Sequence, residues 1–180
     1  MKIILLNDNT LISDKRISII QNYTSDLDSK RRVKDNLKYV KGKSVGDFGC
    51  GSGDFLKLVQ PYCAEVVGIE LQKNYLDELN SLSIPCTDTL DAIEDGSLDV
   101  IVSFHVIEHL PNPLETLSAL IRKLVSGGQI LIEVPQANDF LLTTVTCEEF
   151  KQFTLWSQHL VLHTRESLHK TLKFVGFEEI

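Results

Sequence analysis

The amino-acid sequence predicts a three-layer, doubly wound α/β domain with a mainly parallel sheet, and three observations carry that prediction. Short apolar strand runs alternate with helical segments of about ten to fifteen residues, the pattern of repeated βαβ units. The first strong run ends in a glycine-rich turn that opens a helix. The later runs EVVGIE and LDVIVSF are apolar along most of their length, as buried strands are. Right-handed crossovers then stack helices on the sheet's two faces. Ligands in such sheets bind beyond the carboxyl ends of the strands, near the switch point. The residues after Phe48, Glu70, Thr87, Phe104 and Val134 are therefore the ones to search.

Each element has its own signal. Residues 1–25 read as an N-terminal extension, in which 3–6 and 10–13 flank Asn7-Asp8-Asn9 as a small hairpin would. Apolar residues recur among lysines and arginines over 27–40, as on a surface helix. The main domain, 26–180, continues with a strand at 44–48 and a helix from Asp54 that stops near Pro61. A strand at 65–70, a helix at 74–82 and a short strand at 84–87 follow. Asp95-Gly96-Ser97 is a turn before the strand 98–104. The amphipathic stretch 114–125 reads as a helix closed by Gly127-Gly128. Residues 129–134 form a strand ended by Pro135. Thr164 caps a helix that reaches Val175 with Gly176 as its stop, and 177–180 begin another strand.

Composition narrows the class. The 180 residues are 43% hydrophobic and 24% charged, with net charge −7, ordinary values for a globular domain with a sizeable core. An acidic chain of pI near 5.2 lacks the basic footprint of a nucleic-acid binder and has little attraction to anionic membranes. The apolar run at 3–6 is too short for a signal-peptide core, and no membrane span is evident, which predicts a cytoplasmic setting. Cys50, Cys63, Cys86 and Cys147 are scattered without a C-x-x-C pair, so reduced, separate thiols are expected.

The richest segment is Asp47-Phe48-Gly49-Cys50-Gly51-Ser52-Gly53-Asp54. Its glycines let backbone turn tightly and approach a ligand closely. The helix that follows presents unsatisfied N–H groups at its start. A structural strand-to-helix turn would look similar, but the context is more specific. Glu70 ends the next strand 21 positions after Gly49, the spacing at which a carboxylate meets ribose hydroxyls. A dinucleotide fingerprint, G-x-G-x-x-G, would need a small residue at position 54, where Asp54 stands. Asp47, two residues ahead of the first glycine, would repel a pyrophosphate and suits a zwitterionic or cationic ligand.

The run D-x-G-C-G-S-G with an acid ending the second strand resembles the nucleotide-binding motif of class I S-adenosylmethionine-dependent methyltransferases. Other segments resemble that family in register: Cys86-Thr87-Asp88, the "DGS-hydrophobic-D" lead at 95–99, the "VIEHL" ending at 106–110, GGQILIEVP at 127–135, and the late Ser167-Leu168…Gly176-Phe177 pair. The likeness covers about residues 30–180. It implies a Rossmann-like methyltransferase fold and S-adenosylmethionine as cofactor. It also implies that Asp47 and the backbone of Gly49, Cys50, Gly51 and Gly53 hold the methionine part, Glu70 the ribose and Asp88 the adenine. The family's sheet has seven strands, the last antiparallel between the fifth and sixth. Here the chain stops inside the presumed sixth, so the seventh is expected to be missing, as in a truncated or shortened variant, with Lys2–Leu6 the candidate to cover the open edge.

Methyl transfer from a sulfonium is an in-line displacement, so much of the catalysis is alignment. A hydroxyl or ammonium acceptor must also lose a proton to a base. His105, first past the strand 98–104, is the leading base and stands at the cofactor edge; a hydrogen-bonded structural role is the plainer alternative. Glu108 and His109 recur in the family motif regardless of substrate and read as pocket structure. His159, in Trp156-Ser157-Gln158-His159, is the second catalytic candidate, with His163 beyond it. The i, i+4 pairs His105/His109 and His159/His163 lack companion acids or thiolates, so no metal is expected. Lys30, Arg31, Arg32, Lys34, Lys38, Lys41 and Lys43 read as a solvated helix face; the functional alternative lays that helix over the cofactor site, with Arg31 or Arg32 pairing with the methionine carboxylate or an anionic substrate.

The reading is a methyltransferase acting on an oxygen or nitrogen of a small molecule, with the H-x-x-x-H-T-x-x-S-L run at 159–168 resembling enzymes that act on saccharides or other secondary metabolites. A nicotinamide-dependent oxidoreductase and a non-catalytic cofactor-binding module of the same fold are the rivals.

Overall fold

The computed structural model of the chain describes residues 2–6, 17–155 and 157–179. The elements run β1 (Lys2–Leu6), α1 (Ile17–Val40), β2 (Ser44–Phe48), α2 (Asp54–Val59), β3 (Glu65–Ile69), α3 (Lys73–Ser81), β4 (Cys86–Thr87), β5 (Leu98–Phe104), α4 (Pro113–Lys123), β6 (Leu124–Glu133), α5 (Phe140–Thr143), α6 (Glu148–Thr154), α7 (Arg165–Phe174) and β7 (Glu178–Glu179). The sheet order is β4-β3-β2-β5-β6-β1-β7, and every described ladder is parallel. The doubly wound α/β prediction holds.

Side chains alternate across the sheet because the strand period is two. Val100, Val102 and Leu131 join Val40, Val45, Phe55, Leu56 and Leu79 in one buried cluster, under α1, α2 and α3. Ile101, Ile130 and Ile132 join Leu117, Leu120, Leu168, Leu172 and Phe177 in the other, under α4 and α7. A sheet sealed on both faces leaves only the strand ends open, and the chain reverses its winding between β2 and β5, where a ligand crevice forms.

Two expectations change and one is met. The surface helix begins at Ile17, ten residues before the predicted start. The second concerns Gly127-Gly128, which do not end a helix. α4 stops at Lys123 and β6 starts at once; the glycines lie in a bulge where the register jumps from Leu98↔Leu124 to Val100↔Gln129. A Cβ on Gly128 would stand 3.2 Å from the Asp99 carbonyl oxygen, so the glycine serves close strand approach. The one that is met is the cover of the open edge by Lys2–Leu6. Lys2–Leu6 lies between β6 and β7, in register Lys2↔Gln129 to Leu6↔Glu133 on one side and Lys2↔Glu178 on the other. An N-terminal parallel strand thus sits where the resemblance puts an antiparallel C-terminal one. The hairpin partner proposed at 10–13 lies outside the described residues. The Thr164 cap is as predicted, its hydroxyl accepting from Ser167 N–H at 3.0 Å.

Candidate active site

β2 and β3 lie side by side with Asp47 opposite Gly68 and Phe48 opposite Ile69, so the glycine turn and Glu70 leave the sheet together. The Ile69 carbonyl accepts from Gly49 N–H at 2.8 Å and from Cys50 N–H at 3.3 Å, which folds the turn over the end of β3. Gly49 has φ +77°, and a Cβ there would stand 2.3 Å from Val106 Cγ2. Gly51 has φ +53° and open space where its Cβ would go. The first glycine is therefore required by packing inside the protein. The second leaves room for something outside it. Gly53 caps α2.

Glu70 is buried, and its carboxylate is already half engaged. Oε2 accepts from Gly51 N–H at 2.9 Å and Oε1 from Gln72 N–H at 2.8 Å. A carboxylate has about four lone-pair sites, so this grip aims the group while leaving acceptor capacity for a pair of hydroxyls. Asp47 is 3% exposed at the end of β2. Burial pushes its carboxyl up to about 7; Arg32 pulls against that rise and Glu70 adds to it. A buried carboxyl poised near neutrality favours any cation that arrives beside it. Cys50 and Cys86 Sγ atoms meet at 3.9 Å beneath Gly68, and burial holds the Cys50 thiol protonated. The four cysteines are free thiols. Asp88 is exposed, just past β4, whose Thr87 carbonyl accepts from Glu70 N–H at 2.9 Å.

A second group gathers at the ends of β5 and β6. His105 takes φ +57°, a conformation that costs a non-glycine residue about 1–3 kcal/mol and collects at functional sites. Its N–H donates to the Glu133 carbonyl at 2.8 Å. Its ring is 31% exposed, with Nε2 3.2 Å from Glu133 Oε1 and Nδ1 3.4 Å from Glu108 Oε1. Glu133 is fully buried and was not singled out in the sequence. The signal was there: a lone acid closes an apolar strand, as Glu70 does. Arg31 donates to both Glu133 oxygens at 3.1 Å, and Arg32 to Oε1 through Nε at 2.9 Å. Burial alone would raise the Glu133 carboxyl, but His105 and Arg32 overcome it and hold it down at about 2. Arg32 also lies 5.0 Å over the Phe104 ring. Two members of the basic run thus pin α1 over the strand ends and are spent on a protein carboxylate.

The histidines that face each other are not those spaced i, i+4 in the sequence. His109 and His159 face each other with ring centroids 4.8 Å apart. The Leu160 and Val161 N–H groups bind the Glu108 carbonyl at 2.8 and 3.2 Å, which brings the loop after α6 onto the end of β5. His163 is buried, 3.4 Å from the Ser167 hydroxyl through Nδ1, and burial lowers its basicity. Asp47, Gly49, Cys50, Gly51 and Glu70 are one group, and His105 and His159 both adjoin Glu108.

A family described as "Methyltransferase domain" matches residues 23–180. A protein named ubiquinone biosynthesis O-methyltransferase from Burkholderia vietnamiensis is 28% identical over 130 residues, covering 66% of this chain and 56% of the relative. The chain therefore spans about half the length of such relatives. The crystal structure of a SAM-dependent methyltransferase from Archaeoglobus fulgidus superposes with TM-score 0.73 at 23% identity, over 91% of this chain and 75% of that one. Phosphoethanolamine N-methyltransferase 2 of Haemonchus contortus, solved with S-adenosyl-L-methionine, has TM-score 0.62 at 21% identity, over 86% and 36%. Among the described residues no helix is long and apolar enough to cross a membrane. With the family matched over residues 23–180 and the fold shared with such enzymes, the chain belongs to the class I S-adenosylmethionine-dependent methyltransferases, whose cofactor is S-adenosylmethionine.

Proposed function

We propose that this protein transfers the methyl group of S-adenosylmethionine to a hydroxyl oxygen or an amine nitrogen of a small molecule, with a hydroxyl acceptor favoured. The observation that carries the reading is the cradle at the switch point. A buried carboxyl poised near neutrality at Asp47, open space above Gly51, and a Glu70 carboxylate aimed by two backbone N–H groups converge there. These fit the three parts of the cofactor. Asp47 and the backbone of Gly49, Cys50, Gly51 and Gly53 would hold the zwitterionic methionine end, Glu70 the ribose hydroxyls, and Asp88 the adenine amino group. The bound cofactor supplies an electrophilic methyl on a sulfonium. The chain then has to align the acceptor and take its proton. His105 is proposed for the proton: the carboxylates of Glu108 and Glu133 at its two nitrogens stabilise the ring once charged. His159 is the alternative base. The O-methyltransferase names of the curated relatives favour oxygen, and a saccharide or other secondary metabolite is the proposed acceptor class. The acidic surface argues against nucleic acid or an anionic membrane as partner, and the free thiols suit the cytoplasm.

Calorimetry with S-adenosylhomocysteine tests this reading. The expected outcome is micromolar binding that Glu70→Ala weakens by about 1.5–3 kcal/mol, while Glu65→Ala, exposed at the far end of β3, leaves it unchanged. Binding of NADH in place of S-adenosylhomocysteine would return the assignment to an oxidoreductase.

A further inference from the structure

A second polar cluster lies next to this cradle, and it has ligand-binding character of its own. Glu108 is 0% exposed, and among the described residues neither carboxylate oxygen has a hydrogen-bond partner; His105 Nδ1, charged only if protonated, lies 3.4 Å from Oε1. A buried carboxylate without hydrogen bonds is costly, and such a group in a native fold points to an ion or partner that completes it. Two imidazoles converge on it. Ligand atoms of Glu108, His109 and His159 all lie within 4.8 Å of one another. Nδ1 of each ring meets a backbone carbonyl, the Gln158 carbonyl at 2.7 Å for His109 and the Thr154 carbonyl at 2.6 Å for His159. A carbonyl accepts only from an N–H, so Nδ1 is the protonated nitrogen, and in the neutral ring Nε2 then carries the lone pair. A backbone carbonyl on the far nitrogen is how proteins orient metal-ligating histidines.

We propose that Glu108, His109 and His159 bind a divalent transition-metal ion of the zinc class. Two imidazoles and one carboxylate form a three-ligand set that zinc uses with a position left open. An ion at the centre of three atoms no more than 4.8 Å apart stands at most about 2.8 Å from each, so closure by about 0.7 Å gives ordinary zinc–ligand lengths. Hard cations that prefer all-oxygen cages, such as Mg2+, fit this donor set poorly. The open position would bind a hydroxyl oxygen and lower its pKa, which rests on the methyl-transfer reading above. The site itself does not. A ligand role for Glu108 and His159 leaves His105 as the base, with the Glu133 carboxylate, 3.2 Å from Nε2, stabilising its charged form.

The test uses the full chain, stripped with a chelator and then freed of it. Zn2+ is titrated in competition with a chromogenic chelator, Mg2+ by calorimetry, and S-adenosylhomocysteine on the same preparation. One Zn2+ per chain is expected, bound tighter than micromolar, with Mg2+ at least 100-fold weaker. His109→Ala, His159→Ala and the isosteric Glu108→Gln should each weaken Zn2+ by more than about tenfold, the lower bound for losing even an outer partner. His169→Ala, on α7, should not. Bound Co2+ should show visible bands that His109→Ala and His159→Ala alter, with circular dichroism reporting that both variants are folded. Absence of stoichiometric Zn2+, or Zn2+ affinity unmoved in folded His109→Ala and His159→Ala, overturns the metal site. Cofactor product binding without Zn2+ overturns the metal site alone; Zn2+ without cofactor product overturns the methyl-transfer reading alone.

Discussion

Replacing Asp47 by asparagine should make the protein more stable and worse at binding its cofactor, and the stability gain should grow with pH. The side chain is 3% exposed, and its carboxyl is raised from 3.8 to about 7, first by burial and then by the charge of Glu70, against the pull of Arg32. In the unfolded chain the same carboxyl ionises near 3.8. Between the two values the folded state holds a proton that the unfolded state has lost, so stability falls as pH rises through this window. Each pH unit of displacement is worth about 1.4 kcal/mol. The wild-type carboxyl therefore costs the fold about 2 kcal/mol at pH 5.5 and about 4 kcal/mol by pH 8.5, where both states are ionised. Asparagine is nearly the same shape and carries no charge. Urea unfolding of both proteins at pH 5.5, 7 and 8.5 should show Asp47→Asn the more stable, by a margin that widens by about 2 kcal/mol across the series. S-adenosylhomocysteine, whose ammonium loses its counter-charge, should bind the variant about 1.5–3 kcal/mol more weakly. Titration of wild-type protein with this ligand near pH 6 should release protons, because a cation beside Asp47 favours its ionised form. A variant that is no more stable at pH 8.5, or a margin that does not widen, would refute the claim that burial raises the Asp47 carboxyl in the folded protein.

Three other substitutions probe neighbouring parts of the cleft. Gly49→Ala and Gly51→Ala share the left-handed backbone cost of about 1–2 kcal/mol, but only the first drives a methyl to within 2.3 Å of Val106. Thermal melts should place Gly49→Ala well below Gly51→Ala, while Gly51→Ala, whose methyl enters open space, should lose cofactor-product affinity by about 1–3 kcal/mol. Equal melts for the two would contradict the packing account. His105→Ala should leave that affinity nearly unchanged and lower kcat by roughly 10²–10⁴-fold once an acceptor is identified; full turnover in a folded, cofactor-saturated variant would pass the proton-transfer role to His159.

The strand runs, the alternation with helices and the glycine turn were legible because they are local. An apolar run or a G-x-G-x-G stretch before a helix expresses its meaning within ten residues, so β2, β3, β5 and their sequence order could be read directly. The 21-residue interval to Glu70 was legible as well, because one βα unit is all that separates Gly49 from it. Gly127-Gly128 misled for the same local reason: two glycines after an amphipathic run look like a helix stop, and only the pairing with β5 turns them into a bulge.

What tertiary structure alone decided is who meets whom across long intervals. Arg31 and Arg32 find Glu133 about a hundred residues away, and Lys2–Leu6 finds its slot between β6 and β7. His109 pairs with His159 rather than with His105, because His105 turns to Glu133 while the loop after α6 docks on the Glu108 backbone. By itself the sequence determined the sheet, the turn and the type of ligand they suit, since those depend on periodicity and short spacing. The charge pairings, the unsatisfied Glu108 and the histidine cluster depend on burial and on contacts between distant segments. Desolvation and long-range Coulomb energy have no period along the chain, so they became visible only once the fold had brought the groups together.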